Sequence, residues 1–499
     1  MSIETSNEEK NDVSNSQPSP VPSDGAAAID LKNTEKTSII RQVLRGLSTP
    51  KPDDLDTKTI SSKVLTIAMP ALAESFLLHL ASMVNTMMVG GIGTWAISSI
   101  GYCTQPRLLL LAVFQAFNTG STALIARSKG ANNVKDANII MHQSILLSVA
   151  ASIVLAVLGY IFATPMVIFM GAETPQTVLA STQYMRMIML SFPANALSLA
   201  VTAVLRGIGK TRIAMVYNVS SNVVNIIVGF LFITGRFGLP RLEVMGAALG
   251  MACGQIVGML IALFAIVRGA DILHFDIRQL FKLHKDMLRR VIKISMPAML
   301  DQLCMRVGQL MFSKVVASLG TDAFATHQIA NNILSMTMAN GQSFGIAATS
   351  LLGQSMGAKR PDHGKAYVQR CRRYSMMISV GLALTMFFFG KFLTGMYTTE
   401  IEVIIQGAML LKIVAVIQPL QSSQQVLAGA LRGAGDTKAV ALCTFMGLVL
   451  VRPIVAFSLV YGANWGLVGV WLALVSDQAM RSCYTMWRFA MDKWKNIKA

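Results

Sequence analysis

The 499-residue sequence predicts an all-α integral membrane protein, with twelve transmembrane helices in two parallel six-helix repeats. Three observations carry that expectation: composition, apolar run length and an internal duplication. Hydrophobic residues make up 53% of the chain, charged residues 14%, and the mean hydropathy is +0.53. A soluble domain carries about 25% charged residues, so this much apolar surface needs lipid as its solvent. Apolar runs of about the twenty residues that cross a bilayer recur along the chain. They lie at 62–88, 96–124, 140–163, 180–204, 213–234 and 245–267, then at 289–316, 323–351, 374–396, 404–430, 438–461 and 466–488. Because the runs are continuous rather than alternating, they specify helices and not a β-barrel.

The duplication is read by aligning the two halves. Ile67-Ala68-Met69-Pro70-Ala71 matches Ile294-Ser295-Met296-Pro297-Ala298, 227 residues on, and the register holds without a gap to Gly130-Ala131 and Gly357-Ala358. It pairs Glu74 with Asp301 and Thr122 with Thr349 on the way. Leu205-Arg206-Gly207-Ile208-Gly209-Lys210-Thr211 then matches Leu431-Arg432-Gly433-Ala434-Gly435-Asp436-Thr437 at 226, and Gly246 and Gln255 match Gly469 and Gln478 at 223. Ordered matches drifting by four residues mark an internal repeat.

Charge sets the topology. The net charge of +18 shows no basic stripe with interleaved aromatics, so no nucleic-acid partner is expected. Lys and Arg instead cluster between spans, as in Arg127 and Lys129, Arg206 and Lys210, or Arg370, Arg372 and Arg373. The loops at 89–95, 164–179 and 462–465 hold none; Arg236, Arg241 and Lys391 are exceptions. The positive-inside rule then puts both termini in the cytoplasm, with the protein multi-pass in the cell membrane. Six spans per copy is an even number, so both halves enter the bilayer in one direction.

The expected organisation is a disordered polar tail at 1–59, a six-helix bundle at 60–268, a cytoplasmic linker at 269–288, a second bundle at 289–490 and a short tail at 491–499. Within the first tail, 39–47 reads as a surface helix or a plain linker, and no cleavable signal peptide is seen. The six cysteines are isolated, which argues against disulfides and structural zinc.

Ionisable groups at membrane depth carry the functional signal, because burying one costs about 2.5–3.5 kcal/mol or more. Glu74 follows Pro70 by four residues and Asp301 follows Pro297 by four. Proline frees a carbonyl of the preceding turn, so an acid beside it makes a cation site; the alternative is an acid paired to an arginine for packing, with Arg306 near Asp301. Asp477, with Arg481 on the same face, reads as structural. Arg107 either faces a water-filled cavity or is the counter-ion of Glu74. His327 is a proton carrier or a hydrogen-bonded helix start. Gln328, Asn331, Asn85 and Gln421 either line a cavity or join helices. There is no GxxxxGK[ST], HExxH or GxSxG pattern, so no enzyme is expected and an ion gradient is the expected driving force.

The paired Leu-Arg-Gly-x-Gly-x-Thr turns, the prolines of the first helix of each half, Ala325-Thr326-His327-Gln328-Ile329 and Gly353-Gln354-Ser355-Met356-Gly357-Ala358 together resemble the multidrug and toxic compound extrusion (MATE) family. The resemblance covers about Ser61 to Lys493. It implies two lobes around a central cleft, and alternating-access antiport in which Na⁺ or H⁺ drives the export of bulky, often cationic or aromatic compounds, with no organic cofactor or metal and a monomer in the bilayer. It also implies that Asn85 stands where many relatives carry an Asp used for cation coupling, and Gln421 about where some bacterial members have an acid. Both departures shift the coupling role toward Glu74 and Asp301. A lipid-linked saccharide flippase or metabolite exporter of the same superfamily is the alternative; a flippase is expected to line its cleft with several arginines.

Overall fold

The computed structural model describes residues 54–90, 92–235, 238–269, 271–280, 282–398 and 400–497. The tail before residue 54, with the candidate surface helix at 39–47, lies outside them. Twelve long helices form, among the described residues: α1 Thr57–Gly90, α2 Thr94–Gly130, α3 Val134–Ile161, α4 Pro175–Gly207, α5 Thr211–Thr234 and α6 Val244–Val267. The second half supplies α7 Lys285–Ala317, α8 Thr321–Gly357, α9 Pro361–Gly395, α10 Ile401–Gly433, α11 Thr437–Gly462 and α12 Gly466–Ala490. Each expected span falls on one of them.

The helices outrun the apolar spans, mostly at the basic end of the bundle. The sequence places Lys365, Arg370, Arg372 and Arg373 in a loop, yet α9 begins at Pro361 and carries all four. Apolar run length measures only the part in lipid. Pro361 fits the first turn, where its missing N–H has no intrahelical partner to lose. Nine of the twelve are apolar and long enough by themselves to cross a membrane. The other three, α7, α8 and α12, carry the polar load: Asp301 and Arg306, His327 and Asn340, Asp477 and Arg481.

The first helix of each repeat is shared between the halves. Leu55 just before α1, and Ile60, Val64 and Ile67 at its start, are buried with Phe344 and Leu352 of α8 and Leu427 of α10. Reciprocally, Val291 and Ile294 of α7 are buried with Leu124 of α2, Met141 of α3 and Leu205 of α4. The second half of each helix belongs to its own lobe. α1 and α7 stay helical through Pro70 and Pro297 at this crossing.

The lobes meet at the basic end, where α2 and α8 touch backbone to backbone. A Cβ on Gly130 would lie 1.8 Å from the Gln354 carbonyl oxygen, and one on Gly357 would lie 1.9 Å from that of Arg127. Only glycine permits this approach. Ser350 Oγ and Gln354 Nε2 add hydrogen bonds to the Gly207 carbonyl, both 3.1 Å. Toward the other end α1 and α7 leave apolar side chains exposed, among them Met83, Met87, Leu310 and Met311.

α11 departs from α-geometry. Phe445–Val451 and Ser458–Gly462 are π-helical, on either side of Arg452–Phe457. π-Helical turns are rare; between the two here, Arg452 is buried and donates to Asp477.

Candidate functional site

Glu74 and Asp301 are each held by an arginine from the glycine turn of their own repeat. Arg206 Nη2 donates to Glu74 Oε1 at 2.8 Å, and Arg432 Nη2 donates to Asp301 Oδ2 at 2.7 Å. Both carboxylates are 2% exposed and both arginines about a quarter exposed. Asn218 Nδ2 also donates to Glu74 Oε1, at 2.7 Å. The second oxygens, Glu74 Oε2 and Asp301 Oδ1, are buried and accept no hydrogen bond among the described residues.

The turn motif explains itself at this point. Gly209 and Gly435 have φ of +84° and +87°, which L side chains rarely adopt. Thr211 and Thr437 donate their hydroxyls to the Ile67 and Ile294 carbonyls, at 2.9 and 3.1 Å. The arginine and threonine of one turn therefore grip one first helix on both sides of its proline. Thr122 and Thr349 brace the same region by donating to the Ala203 and Gly429 carbonyls.

Two of the expected pairings are corrected. Arg306 does not hold Asp301; it donates to Gln309 Oε1 at 3.3 Å, one helical turn away on its own helix. Arg107 is not the counter-ion of Glu74, which Arg206 already neutralises. Proximity in sequence suggested Arg306, whereas the repeat brings Arg432 in from 131 residues away. Asp477 pairs with Arg481 at 2.9 Å, as expected, and has a second partner that the sequence did not indicate, Arg452 at 2.6 Å.

Arg107 instead lines a cavity of about 710 Å³ in the first lobe, between α1, α2, α4, α5 and α6. Asn85 lines it too, as do Asn195, Asn218, Asn222, Asn225 and Gln255. Asn218, Asn222 and Asn225 are spaced by four and three residues, one face of α5; this stripe was visible in the sequence and was missed. Arg107 Nη1 donates to Met251 Sδ at 2.8 Å.

The second lobe carries buried apolar side chains at the corresponding positions. At the repeat register Asn85 answers to Phe312, Val89 to Val316 and Arg107 to Leu334; at the α6–α12 register Ala247 answers to Val470 and Met251 to Leu474. Phe312, Val316, Leu334, Val470 and Leu474 all belong to one buried apolar core. Gly254 and Gly258 of α6 answer to Asp477 and Arg481, which are buried as an ion pair. His327 stands edge-on to Phe312 and Trp471 at 5.4 and 5.6 Å, buried, with Nδ1 unpartnered. Gln421 is buried with both amide atoms unbonded among the described residues, while Gln328 and Asn331 lie exposed on α8. The first lobe thus places Asn85 and Arg107 in one cavity lining, with Glu74 behind it on the lining residue Asn218. The second-lobe candidates are dispersed.

Asp54, Asp362 and His363 bring three potential metal-ligand atoms within 4.8 Å of one another. Arg360 already occupies that spot, 2.7 Å from Asp54, 3.1 Å from Asp362 and 2.5 Å from His363 Nε2. A cation has no place beside the guanidinium. The four residues form a surface clamp from the foot of α1 to that of α9.

The profile of the MatE family matches residues 70–231 and again residues 297–457, well over half of the chain and one match on each repeat. "Probable multidrug resistance protein NorM" of Thermotoga maritima is 26% identical over 443 residues, covering 87% of this chain and 93% of that protein. A superfamily transporter from Pyrococcus furiosus, reported with a binding pocket of reverse polarity that suggests a different function, superposes with a TM-score of 0.81 at 19% identity, over 87% of this chain and 96% of that one. A MATE crystallised in the bent conformation gives 0.80 at 17% identity, over 90% and 97%. Two lobes of six helices, each matched in its own right and joined through repeated turns, place the chain in the MatE family of multi-pass membrane transporters.

Proposed function

We propose that the chain is a secondary antiporter that exports bulky amphiphilic compounds by alternating access, driven by a Na⁺ or H⁺ gradient. The duplicated acid–arginine contact carries this reading. Each acid sits where a first helix passes from the opposite lobe to its own, so the contact fixes the angle between lobes. A coupling ion on Glu74 or Asp301 competes with the arginine. A proton removes the charge that the guanidinium pairs with; a Na⁺ takes the oxygens it uses, with the Asn218 carbonyl as a further ligand. Ion binding and release of α1 from the α4–α5 turn are then one event, and the lobes part at the glycine contact of α2 with α8 as they rock. Asn85 and Gln421 cannot carry a proton, so they serve only as oxygen ligands or lining groups.

The orientation that fits the basic loops places both termini in the cytoplasm, with each bundle moving as a unit and each chain working as a monomer. Cysteines replacing Lys129, Lys285 or Arg372 are then labelled only from the cytoplasmic side; labelling from outside sealed cells would overturn this. A flippase for lipid-linked saccharides is less well supported, because Arg107 is the one arginine in the first-lobe cavity lining. The function is tested by dye efflux from cells carrying Glu74→Gln or Asp301→Asn. Loss of efflux in either supports the coupling role, and wild-type rates in both remove these acids from the mechanism.

A further inference from the structure

The first-lobe cavity has one fixed charge in its lining, and it is positive. Glu74 lies beside it, reached through Asn218, but its charge is already taken by Arg206. Arg107 has no carboxylate partner; Met251 sulfur is its contact, and a thioether is a weak acceptor. Its other N–H groups have no partner among the described residues. A guanidinium held at membrane depth in that condition is costly, and the cost is recovered when a negative group enters.

We propose that this cavity binds organic carboxylates, either amphiphilic anions or zwitterions, with the Arg107 guanidinium anchoring the acid group. A planar guanidinium matches a carboxylate through two parallel hydrogen bonds. The neutral amides of Asn85, Asn195, Asn222 and Gln255 supply further hydrogen bonds without adding charge, and Leu78, Val89, Ile100 and Ile233 form apolar wall for an aromatic or aliphatic body. About 710 Å³ is within the usual range for a site that engulfs a small organic molecule. The second lobe does not repeat this arrangement: Leu334 stands where the guanidinium does and Phe312 where Asn85 does, both buried in one apolar core. The lining offers no acid to a permanent cation, which separates this site from one built for quaternary ammonium compounds.

The proposal takes its direction of flow from the export function above, but binding is tested apart from transport. Carboxyfluorescein and ethidium are titrated by fluorescence polarisation against the full-length protein in detergent. Arg107→Gln is expected to lower the ratio of carboxyfluorescein to ethidium affinity by at least ~10-fold, the loss of one charge-assisted contact. Arg107→Lys, which keeps the charge and loses the fork, is expected to fall between. A ratio within twofold of wild type in both variants would overturn the proposal. A competition on the wild type needs no variant: 2-naphthoate should displace carboxyfluorescein at least ~10-fold more strongly than methyl 2-naphthoate, and equal potency would overturn the proposal too. Arg107-dependent binding without gradient-driven efflux sinks the export function and leaves this inference standing. Gradient-driven ethidium efflux with no carboxylate binding does the reverse.

Discussion

Replacing Gly130 and Gly357 together by alanine should unseat the lobes at their basic end. Each new Cβ would sit within 2 Å of a carbonyl oxygen on the facing helix. Ordinary contact needs more than 3 Å, so α2 and α8 must separate by over an ångström. The obstructing atoms are backbone, which cannot rotate away. Overpacking of this kind costs about 1–3 kcal/mol, and the two sites share one interface, so their costs do not simply add. At about 1.4 kcal/mol per tenfold, the conformation with the basic end closed loses roughly 5- to 150-fold in population relative to the opposite one. Spin labels on cysteines at the exposed positions Lys135 and Lys438, one on each lobe, report this by double electron–electron resonance. The distribution should shift to longer distances, and efflux should slow because the cycle cannot return through this state. An unchanged distribution with unchanged efflux would show that the α2–α8 contact does not hold the basic end closed.

Further expectations concern the buried charges and the surface clamp. Asp477→Asn leaves Arg452 and Arg481, each 8% exposed, without a counter-charge; breaking a buried pair costs about 3–5 kcal/mol, so size-exclusion chromatography should show mostly aggregated protein, and a wild-type elution profile would refute a stabilising role. Glu74→Gln orphans Arg206, and because that arginine is about a quarter exposed the cost should be smaller, about 1–2 kcal/mol. The Glu74→Gln, Arg206→Gln double variant should then be more thermostable than Glu74→Gln alone, and a lower melting temperature for the double would contradict the pairing. At the clamp, the hydrogen bond from Arg360 holds the Asp54 carboxyl below its ordinary value. A depressed acid stabilises fully above its unfolded pKa, about 3.9, and loses that contribution as pH falls through the lower folded value. The melting-temperature difference between wild type and Asp54→Asn should therefore shrink as pH falls below about 3.9, and a difference that persists undiminished through that acid range would refute the assignment.

The fold was legible because it is written in long-range regularities. Apolar run length located every long helix, and the two prolines, two acids and two glycine turns gave the repeat its register. Helix ends were misjudged at α9 because a helix leaving lipid keeps its hydrogen bonds while its composition turns polar. The partners of Glu74 and Asp301 were within reach, since Arg206 and Arg432 had been found as a pair; their spatial role was hidden because a turn motif does not say which helix it grips. The asymmetry between lobes was harder to see. It rests on single positions such as Asn85 against Phe312 and Arg107 against Leu334, whose meaning depends on which face of a helix points inward. The sharing of α1 and α7 between lobes left no mark on hydropathy, because charged residues such as Lys63, Arg289 and Lys293 sit among the apolar ones that make the contact and average composition does not say which lobe a face meets.

The central claim is that ion binding at the repeat-related acids releases an arginine and lets the lobes rock, carrying cargo against its gradient. Proteoliposomes of the purified protein, given a Na⁺ gradient and a proton gradient separately, test it most directly. Uphill dye movement under one of them, lost in Glu74→Gln or Asp301→Asn and absent without a gradient, is the predicted result. Dye movement that ignores both gradients, or survives both substitutions, would contradict it.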